Sequence, residues 1–184
     1  VLAISRPLQD ELRELYTIPD QKLGTFRNFL DTPSPTSVWG VDNIRRFVFC
    51  GRLVYEKNVD GLLAIWAAFA SSKTNIQLVI LGDGPLAQES RSLALKLNLS
   101  IGVSPTDKQA SVLFLGSVSQ PENYMVGARA FLLTSRHEGV PTVLLLAASL
   151  CLPVLAADCH SGGVRDLLGK SEQEPVKDGV SVCA

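Results

Sequence analysis

Two patterns of apolar residues alternate along this chain. Residues 46–50, 76–81, 112–115, 130–134 and 153–157 are nearly unbroken apolar runs of strand length, as expected for strands buried on both faces. Between them apolar residues recur at helical spacing, most plainly where Val59, Leu62, Leu63, Trp66, Phe69 and Ala70 form one stripe after Asn58. Helices are also predicted over residues 86–97, 121–129 and 141–150, the last two opened by Pro121 and Pro141. Near the start, Ser5 is placed to cap a helix carrying Leu8, Leu12, Leu15 and Tyr16 on one face, and Ile18-Pro19-Asp20 ends it. Residues 32–43, with Pro33, Pro35 and Gly40, read as a loop or linker. Buried strands joined by helices predict an α/β fold: a doubly wound, Rossmann-like parallel sheet with helices on both faces.

Length and composition narrow this further. The 184 residues suffice for one substantial domain; residues 1–43 are expected to form a hinge or linker region with a short helix, and 44–184 the domain itself. Hydrophobic residues supply 46% and charged residues 19%, the latter below the usual share of roughly 25%, which excludes a disordered or fibrous chain. With 17 basic and 18 acidic residues the net charge is -1, so no overall field attracts nucleic acid or an anionic membrane, and any anion site must be local. Cys50, Cys151, Cys159 and Cys183 contain no C-x-x-C pair; buried thiols in a reducing compartment are expected, with neither disulfides nor a metal site. Residues 139–157 are 19 positions without a charge, long enough to cross a bilayer as one helix. Pro153 would break that helix, so a helix, a break and a buried strand are expected, with no membrane span.

Ligands of such a sheet bind beyond the carboxyl ends of its strands. Those ends carry Gly51-Arg52-Leu53 with Lys57, Gly82-Asp83-Gly84-Pro85, Gly116-Ser117, Ser135-Arg136-His137-Glu138-Gly139 and Asp158-Cys159-His160-Ser161-Gly162-Gly163. Glycine at nearly every exit lets backbone amides approach a ligand, which suggests one bearing phosphate. Arg52 and Lys57 flank a strand-to-helix turn, where a cation is disfavoured unless an anion is bound; the plain alternative is an exposed loop in which Glu56 neutralises Lys57. Gly82 to Ala87 fits G-x-G-x-x-A, the dinucleotide fingerprint. No acid follows at a clear strand end about 20 residues on, so a tight turn is preferred to NAD binding. Glu138, ahead of the helix opened by Pro141, is either a capping acid or an acceptor for substrate hydroxyls, with the amides of Gly139 and Val140 beside it. His137 and His160 are equally suited to packing or to acid–base work.

In this order, Gly51-Arg52-Leu53-x-x-Glu56-Lys57-Asn58, Leu81-Gly82-Asp83-Gly84-Pro85, Val112-Leu113-Phe114-Leu115-Gly116, Ser135-Arg136-His137-Glu138-Gly139-Val140-Pro141 and Pro153-Val154-Leu155-Ala156-Ala157-Asp158-Cys159 resemble one known module. It is the C-terminal, donor-binding domain of the large family 4 of retaining glycosyltransferases, which have the GT-B fold. Ala3-Ile4-Ser5, Leu8 and Asn28 are similar to the end of the other domain and the hinge, so the resemblance covers nearly the whole chain. It implies that Arg52 and Lys57 neutralise the diphosphate of a nucleotide-sugar donor. Glu138, first of the family's Glu-x7-Glu pair, would contact sugar hydroxyls, and the Gly139 and Val140 amides would hold phosphate. Leu115 and Gly116 would meet the base, with Gly51, Gly82, Gly84 and His137 in the same cleft.

The resemblance implies an enzyme that transfers a hexose-type sugar, with retention, to an acceptor hydroxyl in glycan or polysaccharide synthesis. It needs no metal and no cofactor beyond the donor substrate. A glycan or lipid-linked acceptor would bind an N-terminal domain absent here, without which the fragment is expected to be inactive. The expected location is cytoplasmic, with the membrane surface as an option for a full-length protein. One position departs: Leu146 stands where the family has its second glutamate, which bonds ribose hydroxyls. Arg129 also replaces a frequent aspartate. The alternative reading is a weakened or non-catalytic module that binds a partner; a GT-B epimerase or phosphorylase and an NAD enzyme are weaker rivals.

Overall fold

The computed structural model describes residues 1–26, 30, 35, 36, 39, 42–159 and 162–169. The chain opens with β1 (Leu2–Ala3), α1 (Arg6–Tyr16), a 3-10 turn (Asp20–Lys22) and β2 (Gly24–Thr25). Next come β3 (Arg45–Cys50), a second 3-10 turn (Tyr55–Lys57), α2 (Val59–Ala70), β4 (Ile76–Leu81), α3 (Ala87–Lys96), β5 (Ile101–Gly102) and β6 (Val112–Gly116). The last elements are α4 (Glu122–Met125), β7 (Ala130–Leu133), α5 (Thr142–Ser149), β8 (Val154–Ala156) and α6 (Gly163–Leu167).

Six strands form one all-parallel sheet in the order β5-β6-β4-β3-β7-β8, while β1 and β2 pair separately, also in parallel. The chain builds outward from β3 through β4 toward β6, then crosses back to lay β7 and β8 on the other side of β3. Strand order therefore reverses between β3 and β7, and an open α/β sheet leaves its ligand crevice at that switch. Side chains of alternate strand residues feed two cores. Phe49, Leu78, Ile80, Val112 and Phe114 pack under α2 and α3 with Leu62, Leu63 and Trp66. Val48, Val79, Leu113, Phe131 and Leu133 pack on the other face with Met125, Leu144 and Ala147. The predicted doubly wound architecture is the observed one.

Four expectations change. Leu15 and Tyr16 of α1 are exposed: among the described residues α1 packs chiefly on α6 and the two-residue strands β1 and β2, which are too short to cover its whole length. The helix over 121–129 shortens to α4, since Val126 is already extended and Gly127 lies at φ 78. β2, β5 and α6 span two to five residues, too few for periodicity to register. Of the thiols, Cys159 is buried and Cys50 half-buried, but Cys151 is exposed; Cys183 lies outside the described residues. The uncharged run divides into α5, a turn and β8, and among the described residues no helix is long and apolar enough to cross a membrane.

At the amino end of the sheet a polar cluster is buried with its hydrogen bonds satisfied. Arg46, in β3, forms a two-pronged pair with Asp42 at 2.7 and 2.9 Å and donates to Gln77 Oε1. Its guanidinium lies 4.4 Å from the Trp39 ring centre, and Gln77 Nε2 donates to the carbonyls of Asp107 and Ala110. The Arg46 hydrogen bonds hold the Asp42 carboxyl well below the usual carboxylate range. Above about pH 4 Asp42 is ionised whether the chain is folded or not, and its full contribution is present. Below that, the unfolded chain takes up the proton first, so stability should fall with pH. Acid titration of unfolding free energy should show this loss, and Asp42→Asn should flatten it.

Cys151 ends α5 in a Schellman turn, its N–H bonding Ala148 O at 3.0 Å and that of Leu152 bonding Ala147 O at 3.0 Å. It does so at φ 53, left-handed backbone that costs a residue with a Cβ roughly 1–2 kcal/mol. Cys151→Gly should therefore raise stability by about 0.5–1 kcal/mol in denaturant titration, part of the gain being returned as glycine's larger unfolded-state entropy.

Candidate functional site

At the β3–β7 switch two loops leave the sheet side by side and are sewn together. Arg136 N–H bonds Glu56 O at 2.7 Å, and Asn58 Nδ2 bonds Thr134 O at 3.0 Å. Thr134 Oγ1 donates to the carbonyls of Lys57 and Asn58. The Arg136 guanidinium stacks 4.3 Å from the centre of the Tyr55 ring, donates to Tyr55 O and pairs with Asp60 at 3.0 Å, which keeps the Asp60 carboxyl low. Asn58, at φ 52, turns the chain from the 3-10 turn into α2.

This stitching brings Lys57 to Glu138. Lys57 Nζ lies 2.5 Å from Glu138 Oε1, with side-chain exposures of 22% and 8%, and Ser135 Oγ donates to the same oxygen at 2.6 Å. Glu138, not Glu56, neutralises Lys57, contrary to the exposed-loop expectation. Nor does Glu138 cap α5, which begins at Thr142 with Pro141 at its N-cap and no side-chain cap hydrogen bond. In so dry a place the pair is strong only while both partners remain, because either charge alone would be buried without compensation.

Arg52 stands exposed on the rim of a neighbouring cleft of about 370 Å³, lined also by Cys50, Gly51, Leu81, Gly82, Asp83, Ser117 and Val118. Gly51 and Gly82 line this cleft, and Gly82 and Gly84 also let backbone pack closely. Gly82 lies at φ 140, and a Cβ on it would sit 1.9 Å from Gly51 O; its N–H is taken by Gly116 O at 2.7 Å. A Cβ on Gly84 would meet the Leu53 backbone at 2.5 Å, and Gly84 is not in the cleft lining. Leu53 N–H bonds Asp83 O, and Leu86 N–H bonds Leu53 O. G-x-G-x-x-A is thus a tight turn packed on the loop after β3, with the Gly82, Gly84, Leu86 and Ala87 amides bonded within the protein. Gly116 is different, since it needs its φ of 70 but faces open space. Leu115 is half-buried against the core beneath α5.

Around Glu138, His137 and Gly139 are exposed and Val140 half-buried. Gly139 is held closely: a Cβ on Gly163 would fall 1.6 Å from Gly139 O, and Ile4 Cδ1 lies 3.1 Å from where a Gly139 Cβ would be. The Cys159 thiol donates to Ser135 O at 3.1 Å; burial first, then the Glu138 charge, push it up to about 11. Burial likewise lifts Cys50 to about 11. Leu146 is 8% exposed and belongs to the core. His160 lies outside the described residues. Ser135, Thr134 and Asn58 were not singled out in the sequence; a hydroxyl three residues before the acid was the one available signal.

A switch-point crevice with this loop set matches a known family along most of the chain, the glycosyl transferases group 1 model aligning with residues 41–181. The chain belongs to that family. It is 35% identical over 122 residues, 66% of this chain and 30% of the relative, to N-acetylgalactosamine-N,N'-diacetylbacillosaminyl-diphospho-undecaprenol 4-alpha-N-acetylgalactosaminyltransferase of Campylobacter jejuni. Its fold is similar to that of S. aureus TarM, solved with Fondaparinux, alpha-GlcNAc-glycerol and UDP (TM-score 0.75, 18% identity, 98% of this chain and 33% of that one). It is also similar to Anabaena HepE in complex with UDP and glucose (TM-score 0.70, 21% identity, 91% and 46% covered). The chain spans 26% to 42% of the length of the first curated relatives it matches.

The contact between Gly163 and Gly139 gives a test of how rigid the loop is. Gly163→Ala must push the Gly139 carbonyl aside, and should cost about 1–3 kcal/mol of stability in chemical denaturation.

Proposed function

We propose that this domain binds the nucleoside diphosphate sugar of a retaining glycosyltransferase that passes a hexose-type sugar to an acceptor hydroxyl in glycan or polysaccharide synthesis. The observation that carries the reading is the Lys57–Glu138 pair at the strand-order switch, next to the Arg52-rimmed cleft, where a Cβ on the lining residue Gly51 would lie 3.6 Å from Lys57 Cε. Arg52 and Lys57 would offset the charge that develops on the departing diphosphate, with no metal required, and Glu138 would orient the sugar. The backbone of Leu115 and Gly116 would meet the base, with Gly51, Gly82, His137, Gly139 and Val140 around the donor. Gly84 is assigned a packing role instead. Family membership and the UDP named in two fold neighbours support this reading. Residues 1–43 would be the hinge to an acceptor domain, and the acceptor a glycan or lipid-linked hydroxyl compound, met in the cytoplasm or at its membrane surface.

Leu146 favours a second reading, a non-catalytic partner module, because no carboxylate stands there for a ribose. Titration with UDP, GDP, ADP and NAD separates the two. Binding of a nucleoside diphosphate is expected, and Arg52→Ala should weaken it by roughly 10- to 100-fold, as for a lost charge-assisted hydrogen bond, while leaving the unfolding midpoint unchanged. Binding of NAD alone would sink the donor reading, and binding of no nucleotide would favour the partner module.

A further inference from the structure

We propose that Ser135 is a positioning residue for Glu138, holding the carboxylate in the one orientation that meets the donor sugar; this rests on the donor reading above and deepens it. Ser135 is 2% exposed, and its hydroxyl has no solvent to turn to. It donates to Glu138 Oε1 at 2.6 Å, while Lys57 Nζ reaches the same oxygen at 2.5 Å. Turning the carboxylate about its last bond would break both contacts at once. Lys57 alone cannot impose that orientation, because an ammonium on a four-carbon stem is a point charge that follows its partner as it moves. A serine hydroxyl on a single short rotor can.

Ser135 is itself fixed from behind. It lies two residues beyond β7, and its carbonyl accepts the Cys159 thiol at 3.1 Å. Cys159 follows β8, is buried, and its thiol titrates high enough to remain a donor. Position therefore passes from β8 through Cys159 and Ser135 to Glu138, along short buried contacts. A merely structural Ser135 would satisfy only its own hydroxyl, and its loss would harm every ligand alike.

The test compares UDP with UDP-glucose, and GDP and ADP with their glucose conjugates, by calorimetry on the parent protein, Ser135→Ala, Ser135→Thr, Glu138→Gln and the double variant Ser135→Ala/Glu138→Gln. Ser135→Ala should leave the affinity for the nucleoside diphosphate within about twofold and weaken that for the sugar conjugate by about tenfold or more. Ser135→Thr, which keeps the hydroxyl, should recover most of that loss. In the Glu138→Gln background, Ser135→Ala should add little, as expected when one residue acts through another. Equal losses for both ligands, or additive losses in the double variant, would overturn the assignment. If the parent protein bound no nucleoside diphosphate at all, the donor reading would be overturned directly and the role of Ser135 with it.

Discussion

The contact between Lys57 and Glu138 can exist only if β3 and β7 are neighbours, and most of the carboxyl end of the sheet is arranged around it. These two strands are separated in the chain by β4, β5 and β6, yet the return across β3 brings their exits together. The pair is too buried to be held by charge alone, since desolvation offsets much of the Coulombic gain. Its geometry comes from the hydrogen bonds around it: Asn58 to Thr134, the Arg136 amide to Glu56 O, and Ser135 to Glu138.

Close backbone approach is the second constraint, and it explains why so many glycines cluster at strand exits. Gly82 lets the loop after β4 sit on Gly51 O, Gly84 lets it sit on Leu53, and Gly163 lets α6 start against Gly139 O. The loops pack backbone to backbone at these points, and Gly51 and Gly82 also line the cleft beside Arg52.

Much of the sheet was legible in the sequence because strands buried on both faces leave unbroken apolar runs, and 76–81 was read residue for residue. The short elements were not, because two residues of β5 or β2 are defined by whom they pair with and not by their own pattern. Strand exits pointed to the carboxyl end of the sheet, which is where the cleft beside Arg52 opens. Partners within it were less accessible. Glu56 is one residue from Lys57 in the chain, whereas Glu138 is 81 away, and proximity in sequence pointed to the wrong acid. The exit glycines, likewise, announce close approach without saying to what.

Leu146 shows where the two constraints meet. On α5 it lies just over one turn past the helix start at Thr142, in the core with Leu144, Ala147 and Leu152. A carboxylate there would need solvent or a partner, and burial of an unpaired charge is among the costliest single changes a core can suffer. The leucine is thus compatible with its surroundings rather than a hole in a polar site, and the neighbouring apolar residues have closed around it. Arg52, Lys57 and Glu138 themselves stand on the loops after β3 and β7, and α5 reaches them through the core it shares with Cys159. Under the donor reading, a ribose contact missing at 146 would thus not by itself remove the charged groups at Arg52, Lys57 and Glu138, which stand on other segments of the chain.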